Sequence, residues 1–373
     1  MDDEMRRLLS RADRALGRLD GVASVLPDPD PFVAMYVRHE AVLSSQIEGT
    51  QSTLGDVLEF EAAGRRESRP KDVEEVVNYV GALNYGLERL DGLPLCLRLL
   101  REIHRRLLEG VRGQHRTPGE FRTSQNWLGS EGCLLSEAEY VPPPPHEMKG
   151  ALGNLEEFLH DEGSLPVLLH CAVAHAQFET IHPFLDGNGR VGRLLITLLL
   201  CQRGVLGRPL LYLSYYLKAH RAMYYDRLTA IRNDGDWEGW VKFFLRGVYE
   251  TSESATATAR DILALREAHR ERIGREYTGS AYGFRLLDYL YERPLLTIGM
   301  AREELDCAYT TASKLIERFV GLGILQETTG RRRNRRYVYR PYLDLFEKQV
   351  VPGPAGSPGG AVSTTESEET PRG

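Results

Sequence analysis

The sequence predicts a mainly α-helical protein built from more than one unit. Apolar residues recur every three to four positions along most of the chain, which is the spacing of one helix face, and strand-like alternation is scarce. The chain has 373 residues, of which 42% are hydrophobic and 27% are charged. This is enough apolar material for a substantial core, and the length exceeds that of one ordinary domain. We therefore expect a helical body with smaller units attached to it.

Apolar periodicity predicts a series of helices in the first three quarters of the chain. The segment from Gly113 to Pro145 interrupts the series, because it contains glycines and a run of four prolines. Proline lacks a backbone donor and disfavours the helical conformation in the residue before it. We expect a long loop with a short β-hairpin there. The predicted helices are Phe32–Glu48, Leu54–Ala63, Lys71–Leu90, Leu95–Leu108, His146–His160, Val167–Glu179, Arg190–Gln202, Lys218–Arg232 and Trp237 to about Arg272.

The pattern changes between residues 282 and 346, where three short helical runs precede two β-prone segments. This order resembles a winged helix-turn-helix unit, whose third helix commonly enters the major groove of DNA. The runs are Phe284–Tyr291, Ile298–Leu305 and Tyr309–Leu322, and the β-prone segments are Ile324–Thr328 and Arg335–Tyr339.

Five parts follow from these changes in pattern. We expect an N-terminal helical region at residues 1–94, a core at 95–250, a linking helix at 251–281 and the winged helix-turn-helix at 282–346. The last part is residues 347–373, of which 352–373 are mostly Pro, Gly, Ser, Thr and Glu without large apolar side chains. Such a composition predicts a disordered tail.

Charge and cysteine content exclude several classes of protein. The formal net charge of −6 argues against a surface that binds nucleic acid or anionic membrane throughout. The five cysteines are odd in number and widely spaced, which fits neither a disulfide framework nor a zinc site. No stretch approaches the roughly 20 apolar residues of a membrane span. We expect a cytoplasmic protein without membrane contact, and the oligomeric state, a homodimer included, stays open.

Residues 182–193 read HPFLDGNGRVGR and carry groups suited to phosphate binding. Gly187 and Gly189 permit backbone conformations in which N–H groups converge at the start of a helix, where they form an anion site. Arg190 and Arg193 are three residues apart and share one helix face, so both guanidinium groups can bond phosphate oxygens.

Three more side chains add chemistry to the same stretch. The Asp186 carboxylate is the hard oxygen ligand that Mg²⁺ prefers when it bridges phosphoryl groups. The Asn188 amide can orient a nucleotide. His182 has an ordinary pKa near neutrality and can accept a proton from an alcohol. The stretch therefore predicts a nucleotide site beside a general base.

This stretch resembles the signature of the Fic (Fido) family at every defining position. The resemblance implies a helical bundle with a β-hairpin flap and a protein adenylyltransferase that uses ATP and Mg²⁺. It implies that His182 deprotonates a Ser, Thr or Tyr hydroxyl of a target protein, which attacks the α-phosphate in line while pyrophosphate leaves. It also places Gly192 beside the ATP. The related Doc-type phosphotransferases depart from the Gly-Asn-Gly-Arg core that this chain keeps, which favours adenylyl over γ-phosphoryl transfer.

Two further segments resemble parts of the family's site. Tyr224 and Tyr225, followed by Arg232, occupy a place similar to its adenine pocket, where aromatic faces stack on the base; core packing of both tyrosines is an equal alternative. The segments 118–122 and 126–127 look like the approach to the flap. The flap edge, which in the family docks the target as an added strand, would be Tyr140, Val141, Pro142 and Pro143, with a plain surface loop as the alternative.

The segment SSQIEG at residues 44–49 resembles an inhibitory motif of the family. Ser44 and Glu48 are four residues apart and share one helix face, and Gly49 is a typical residue after a helix end. The resemblance implies that Glu48 pairs with Arg193 in the place of the ATP γ-phosphate and blocks productive binding of ATP. The alternative is a solvated Ser and Glu on an amphipathic helix.

Five arginines lie in six positions beside the predicted wing. Such a cluster can bind the phosphates of DNA, and a solvated hairpin or a protein-docking surface is the alternative. A DNA-binding regulator with a nucleotide-binding Fic-like body is therefore the competing function. The arginines are Arg331, Arg332, Arg333, Arg335 and Arg336.

Overall fold

The computed structural model describes residues 1–24, 29–63, 71–129, 132–276, 281–330 and 335–347. These residues form α-helices and one small antiparallel sheet, so the predicted mainly α class is confirmed. Helices α1 to α8 are Asp3–Ser24, Asp30–Ile47, Leu54–Ala63, Lys71–Leu90, Leu97–Leu107, Pro145–His160, Val167–Ile181 and Asn188–Gln202. Helices α9 to α15 are Ser214–Ala219, Arg221–Asp234, Trp237–Glu276, Ala281–Glu292, Ile298–Leu305, Tyr309–Gly321 and Arg340–Glu347. Strands β1 to β3 are Leu295–Thr297, Gln326–Glu327 and Arg336–Val338.

Helices α7 and α8 form the centre of the body. Both are apolar on nearly all faces and are buried along most of their length, as expected of a helix surrounded by others. Helices α4, α5, α6, α10 and α11 pack around the pair. His175 of α7 links three of these elements, because its Nδ1 lies 2.9 Å from the carbonyl oxygen of Gly192 and its Nε2 lies 2.9 Å from the hydroxyl of Tyr224. The end of α7 and the start of α8 are thereby held at fixed positions.

Helix α2 lies against this centre. It packs on α4, α8, α9 and α12, and most of its residues are buried. Its apolar side chains are in the same core as those of α7 and α8. The C-terminal end of α2 therefore meets the N-terminal end of α8.

The helices differ from the prediction in two places. Helix α1 was not predicted, although Leu8, Ala12 and Leu16 recur at helical spacing and are buried where α1 packs along α11. The predicted helix Lys218–Arg232 is two helices, α9 and α10, because His220 leaves the helical conformation (φ −113°, ψ 37°). Helix α11 runs unbroken over 40 residues, so the predicted linking segment is mostly the second half of this helix.

Among the described residues between Gly113 and Pro145, the predicted flap hairpin is represented by an antiparallel bridge between Leu128 and Tyr140. The Leu128 N–H donates to the Tyr140 carbonyl oxygen at 2.8 Å, and a 3₁₀ turn at Leu135–Glu137 lies between the two residues. Helix α6 begins at Pro145, where proline is tolerated because the first helical N–H needs no partner.

The C-terminal unit contains α12 to α15 and the sheet, whose strand order is β1-β3-β2. Strand β3 pairs antiparallel with both neighbours, and Tyr337 lies opposite Leu296 and Glu327. Strand β1 and helix α15 were not predicted. Residues 331–334 and the predicted tail at 348–373 lie outside the described residues. That this unit acts as a winged helix-turn-helix stays a prediction, as do the boundaries of the five parts. No described helix is long and apolar enough to cross a membrane.

Candidate active site

The catalytic loop, residues 182–193, connects the end of α7 to the first turns of α8. His182 ends α7 in the left-handed conformation (φ 48°, ψ 61°), which is uncommon for a residue other than glycine. The buried guanidinium of Arg122 holds this turn, because its Nε donates to the His182 carbonyl oxygen at 3.0 Å and its Nη2 donates to the Pro143 carbonyl oxygen. Gly187, also left-handed (φ 78°), begins α8. Arg122 thus connects the backbone of His182 to that of Pro143 in the candidate flap edge.

Asn188 closes the loop on itself. Its Oδ1 accepts the Phe184 N–H at 2.9 Å, and its Nδ2 donates to the Phe184 carbonyl oxygen at 2.8 Å. Both ends of the amide are therefore used inside the loop, and the side chain is buried. Asn188 therefore fixes the backbone conformation of the loop. Its contact with the nucleotide stays a prediction.

His104 of α5 supports the same loop and was not identified from the sequence. Its Nδ1 accepts the Gly119 N–H at 2.8 Å, so the proton of the neutral ring is on Nε2, which donates to the Asp186 carbonyl oxygen at 2.9 Å. The ring also stacks on Phe184. Burial lowers the pKa of His104 to about 4, which keeps the ring in this neutral tautomer.

Arg193 is held by the end of α2. Its Nε donates to Ser44 Oγ at 2.7 Å, and its Nη2 donates to the Ser44 carbonyl oxygen at 3.0 Å and to Glu48 Oε1 at 2.6 Å. We call this set of contacts the latch. Arg193 is only 2% exposed, so its guanidinium is covered by the latch.

Gly189 makes room for the latch at the N-terminus of α8. A Cβ atom at Gly189 would lie 2.3 Å from Glu48 Oε1, so only glycine lets the carboxylate approach the helix end. Burial would raise the pKa of Glu48, but Arg193 outweighs that effect and the net pKa is lowered. The carboxylate is therefore ionised and occupies a position suited to an anion.

Arg190 is almost completely buried, with 1% of its surface exposed. Its Nη1 lies 3.0 Å from Glu75 Oε2 and its Nη2 lies 3.7 Å from Asp186 Oδ1. Glu75, in the first turns of α4, is also buried and binds Arg112 at 3.4 Å. Arg190 is thus directed to two carboxylates of the protein. No sequence motif had indicated Glu75 or Arg112 as residues of the site.

His182, the candidate catalytic base, is neutral in this environment. Burial, and to a smaller extent the Arg232 guanidinium, lowers the pKa of His182 to about 4. Nδ1 of His182 is buried without a hydrogen-bond partner among the described residues. The imidazole therefore has a nitrogen lone pair available above acidic pH.

Glu179 is a second ionisable group beside the latch. It lies one turn before His182 in α7, and a Cβ at Gly192 would lie 2.4 Å from its Oε1. This oxygen has no hydrogen-bond partner in the described part of the chain. Burial raises the pKa of Glu179 to about 7. Gly192 therefore provides space for a buried carboxyl group, which the sequence alone did not indicate.

Asp186 has the arrangement expected of a ligand for Mg²⁺ that is shared with phosphates. Its Oδ1 accepts the Gly187 N–H at 2.6 Å, whereas no hydrogen bond from a described residue reaches its Oδ2. The described residues hold no cluster of three or more His, Cys, Asp or Glu side chains that could bind a metal alone. One part-exposed carboxylate oxygen fits an ion whose other ligands are phosphate oxygens and water.

The two tyrosines of the predicted adenine pocket have different environments. Tyr224 is 1% exposed and bonded to His175, which favours the core-packing alternative for this residue. Tyr225 is 39% exposed and presents an aromatic surface. Arg232 Cζ lies 3.7 Å from the centroid of the Tyr140 ring, and Arg232 Nη2 donates to the Glu179 carbonyl oxygen at 3.2 Å. Arg232 therefore connects the flap edge to α7.

The candidate flap edge is anchored to α7 and to the segment before the flap. The Tyr140 hydroxyl donates to the Thr180 carbonyl oxygen at 2.7 Å. The carbonyl oxygens of Pro142 and Pro143 accept from Gln125 and Arg122. Val141, between these anchors, is exposed, which fits a position that a target chain can reach.

Of the five arginines near the predicted wing, Arg335 and Arg336 are described. Arg336 lies 3.7 Å from Glu59 of α3, so this guanidinium faces another part of the protein. Arg331, Arg332 and Arg333 lie outside the described residues. A contact of this cluster with DNA stays a prediction.

Comparison with known proteins agrees with this geometry. The model of the Fic/DOC family N-terminal region matches residues 6–88, and the Fic/DOC family model matches residues 94–200. A protein adenylyltransferase Fic from Culex quinquefasciatus is 36% identical over 156 residues, which are 40% of this chain and 27% of the relative. That from Drosophila grimshawi is 32% identical over 206 residues, which are 53% of this chain and 38% of the relative. The chain thus spans well under half the length of these curated relatives.

Solved structures show the same fold. A Fic family protein from Desulfovibrio desulfuricans G20 superposes with a TM-score of 0.57 at 19% identity, covering 91% of this chain and 96% of the other. Residues 134–508 of Fic-1 from C. elegans superpose with a TM-score of 0.50 at 22% identity, covering 70% of this chain and 74% of the other. With an N-terminal and a central family match and a signature loop between α7 and α8, the chain belongs to the Fic/DOC family.

Proposed function

We propose that this chain is a protein adenylyltransferase, which moves AMP from ATP to a hydroxyl side chain of a target protein and is inhibited by Glu48. The observation that carries the proposal is the latch: the Glu48 carboxylate lies 2.6 Å from Arg193 at the N-terminus of α8. An anionic group of the protein there occupies the place that suits a phosphate. The names of the curated relatives support the reaction class.

The chemistry needs a base, an anion site and a target. The neutral imidazole of His182 takes the proton of a Ser, Thr or Tyr hydroxyl, and the oxygen forms a bond to the α-phosphorus of ATP. The bond between that phosphorus and the oxygen leading to the β-phosphate breaks, and pyrophosphate leaves. N–H groups at the start of α8 and the Arg193 side chain stabilise the phosphate charge. When bound, Mg²⁺ neutralises phosphate charge, and Asp186 Oδ2 would hold it.

Inhibition follows from competition for one guanidinium group. While Arg193 Nε and Nη2 donate to Ser44 and Glu48, these donors are not available to a γ-phosphate. Productive binding of ATP therefore requires Glu48 to move away. A charge-assisted hydrogen bond of this kind contributes about 1.5 to 3 kcal/mol, so release of Glu48 should raise activity by about tenfold to a hundredfold.

The test uses ATP with the label on either phosphate. The native chain and Glu48→Gly are incubated with a cell lysate and with ATP labelled at the α- or the γ-phosphate. We expect protein labelling from the α-phosphate only, about tenfold stronger or more in Glu48→Gly. Mass spectrometry of labelled peptides should find AMP on Ser, Thr or Tyr. Labelling from the γ-phosphate would assign a phosphotransferase instead, and no label from either chain would contradict the proposal.

A further inference from the structure

Glu48 directly follows α2, at a helix end whose carbonyl groups need partners. The final carbonyl groups of a helix have no intrahelical donor, and the chain leaves α2 at once through Gly49 (φ 98°). Backbone N–H groups of Gly49 and Thr50 donate to the Gln46 and Ser45 carbonyl oxygens, and two arginines donate to two further carbonyl oxygens. Arg193 Nη2 donates to the Ser44 carbonyl oxygen at 3.0 Å, and Arg112 Nη2 donates to the Glu48 carbonyl oxygen at 3.5 Å. Cations at this end also interact favourably with the helix dipole.

Arg112 is joined to the catalytic loop through a buried carboxylate. Its Nε lies 3.4 Å from Glu75 Oε1 and its Nη2 lies 3.4 Å from Oε2 of the same group. Glu75 Oε2 is also 3.0 Å from Arg190 Nη1. Glu75 is 2% exposed and Arg112 is 55% exposed. One carboxylate therefore lies between an arginine of the catalytic loop and an arginine that caps the inhibitory helix.

We propose that Glu75 and Arg112 are positioning residues with opposite effects: Glu75 holds Arg190 for ATP binding, and Arg112 holds the end of α2 so that Glu48 stays on Arg193. This inference deepens the proposed function and rests on the same site. Without Glu75, the buried Arg190 charge has Asp186 as its remaining carboxylate partner, which distorts the loop. Without Arg112, Glu75 still neutralises Arg190, and only the cap of α2 is lost.

The test compares Glu75→Gln and Arg112→Gln in two backgrounds, the native chain and Glu48→Gly. ATP affinity is measured by calorimetry and self-labelling from α-labelled ATP is measured as a rate. With Glu48 present, Arg112→Gln should tighten ATP binding and raise labelling, each about twofold to fivefold, because loss of a cation at the C-terminal end of α2 shifts the latch toward its open state. In the Glu48→Gly background, Arg112→Gln should change neither quantity.

Glu75→Gln should weaken ATP binding by about tenfold or more in the Glu48→Gly background, because the buried Arg190 loses its partner. Arg112→Lys, tested with Glu48 present, keeps one cationic donor. Its ATP affinity should therefore return most of the way from the Arg112→Gln value to the native value. Arg98→Gln is the matched control, since Arg98 is an exposed arginine paired with Glu102 within α5. It should resemble the native chain in every assay. Thermal unfolding of each variant separates a local effect from misfolding.

The outcomes separate this inference from the proposed function. Equal effects of Arg112→Gln in both backgrounds, or weaker ATP binding with Glu48 present, would overturn the role of Arg112. Unchanged ATP affinity in the Glu75→Gln, Glu48→Gly double variant would overturn the role of Glu75. If Glu48→Gly binds ATP but transfers no AMP, the proposed function fails, and the affinities still decide the inference.

Discussion

The catalytic loop and the flap region, defined here as residues 126–143 so that it includes the approach at 126–127, are neighbours, yet their side chains are arranged in opposite ways. In the loop, the polar side chains of Asn188, Arg190 and Arg193 are buried and paired inside the protein. In the flap, Trp127 and Val141 are large, apolar and exposed. A site that stabilises charge works best when its dipoles are fixed before the ligand arrives. Exposed apolar groups, by contrast, are suited to burial by a partner. The difference indicates that the chemistry is prepared in advance while the partner surface is left uncovered.

The largest effect is expected from a change in the catalytic loop. In the Glu48→Gly form, His182→Ala should lower the rate of AMP transfer by about a hundredfold or more, because it removes the general base. ATP affinity should change little. The measurement is self-labelling from α-labelled ATP beside calorimetry of ATP binding. A variant that keeps its labelling rate would show that another group takes the proton.

A smaller effect is expected from Ser44→Ala. The variant removes the hydrogen bond from Arg193 Nε at 2.7 Å and leaves Glu48 in place. Labelling should rise about fivefold, corresponding to roughly 1 kcal/mol for one hydrogen bond, which is less than for Glu48→Gly. The control is Ser45→Ala. Ser45 is also buried, but its Oγ has no partner among the described residues, so it should leave the rate unchanged.

The flap should respond in a different assay. In the Glu48→Gly form, Val141→Asp should lower labelling of lysate proteins by about fivefold through loss of an apolar contact. ATP affinity should not change. Leu165→Asp is the control, because Leu165 is similarly exposed but lies between α6 and α7. Equal losses in both variants would contradict a docking role for the flap.

The smallest effect is expected for His104. Its replacement should alter the pH dependence of the free energy of unfolding, and the difference should appear only on acidification. Its folded-state pKa of about 4 lies below the ordinary value near 6.5, so protonation favours the unfolded chain. The resulting stability is present above pH 6.5 and is lost as the pH falls toward 4, by about 3 kcal/mol. Unfolding of the native chain and of His104→Gln, measured at pH 7 and pH 4.5, should show a smaller pH effect in the variant. An equal pH effect in both would assign the acid sensitivity to other groups.

Sequence reasoning succeeded where the signal is local. The helical bounds of α3 and α4 agree with the apolar periodicity, and the pairing of Glu48 with Arg193 in the structure is the one that the family resemblance implied. Helix α1 was missed because its charged residues obscured a buried stripe. The break at His220 was missed because no proline or glycine marks it.

Contacts between distant segments were not predictable in the same way. Glu75 and Arg190 are 115 residues apart, and nothing in either local sequence indicates a partner. The same holds for His104, whose role depends on two backbone groups of other segments. Tyr224 and Tyr225 are adjacent and chemically identical, so only the packing of α10 shows which one is buried.

Helix α11 connects the two ends of the molecule as one rod of about 60 Å, given a rise of 1.5 Å per residue over its 40 residues. It packs on α1 and α7 in the body and on α12 and α15 in the C-terminal unit. Phe346 of α15 in turn contacts Tyr36 and His39 of α2. A displacement of the C-terminal unit would therefore be passed to α2 through packed aromatic side chains.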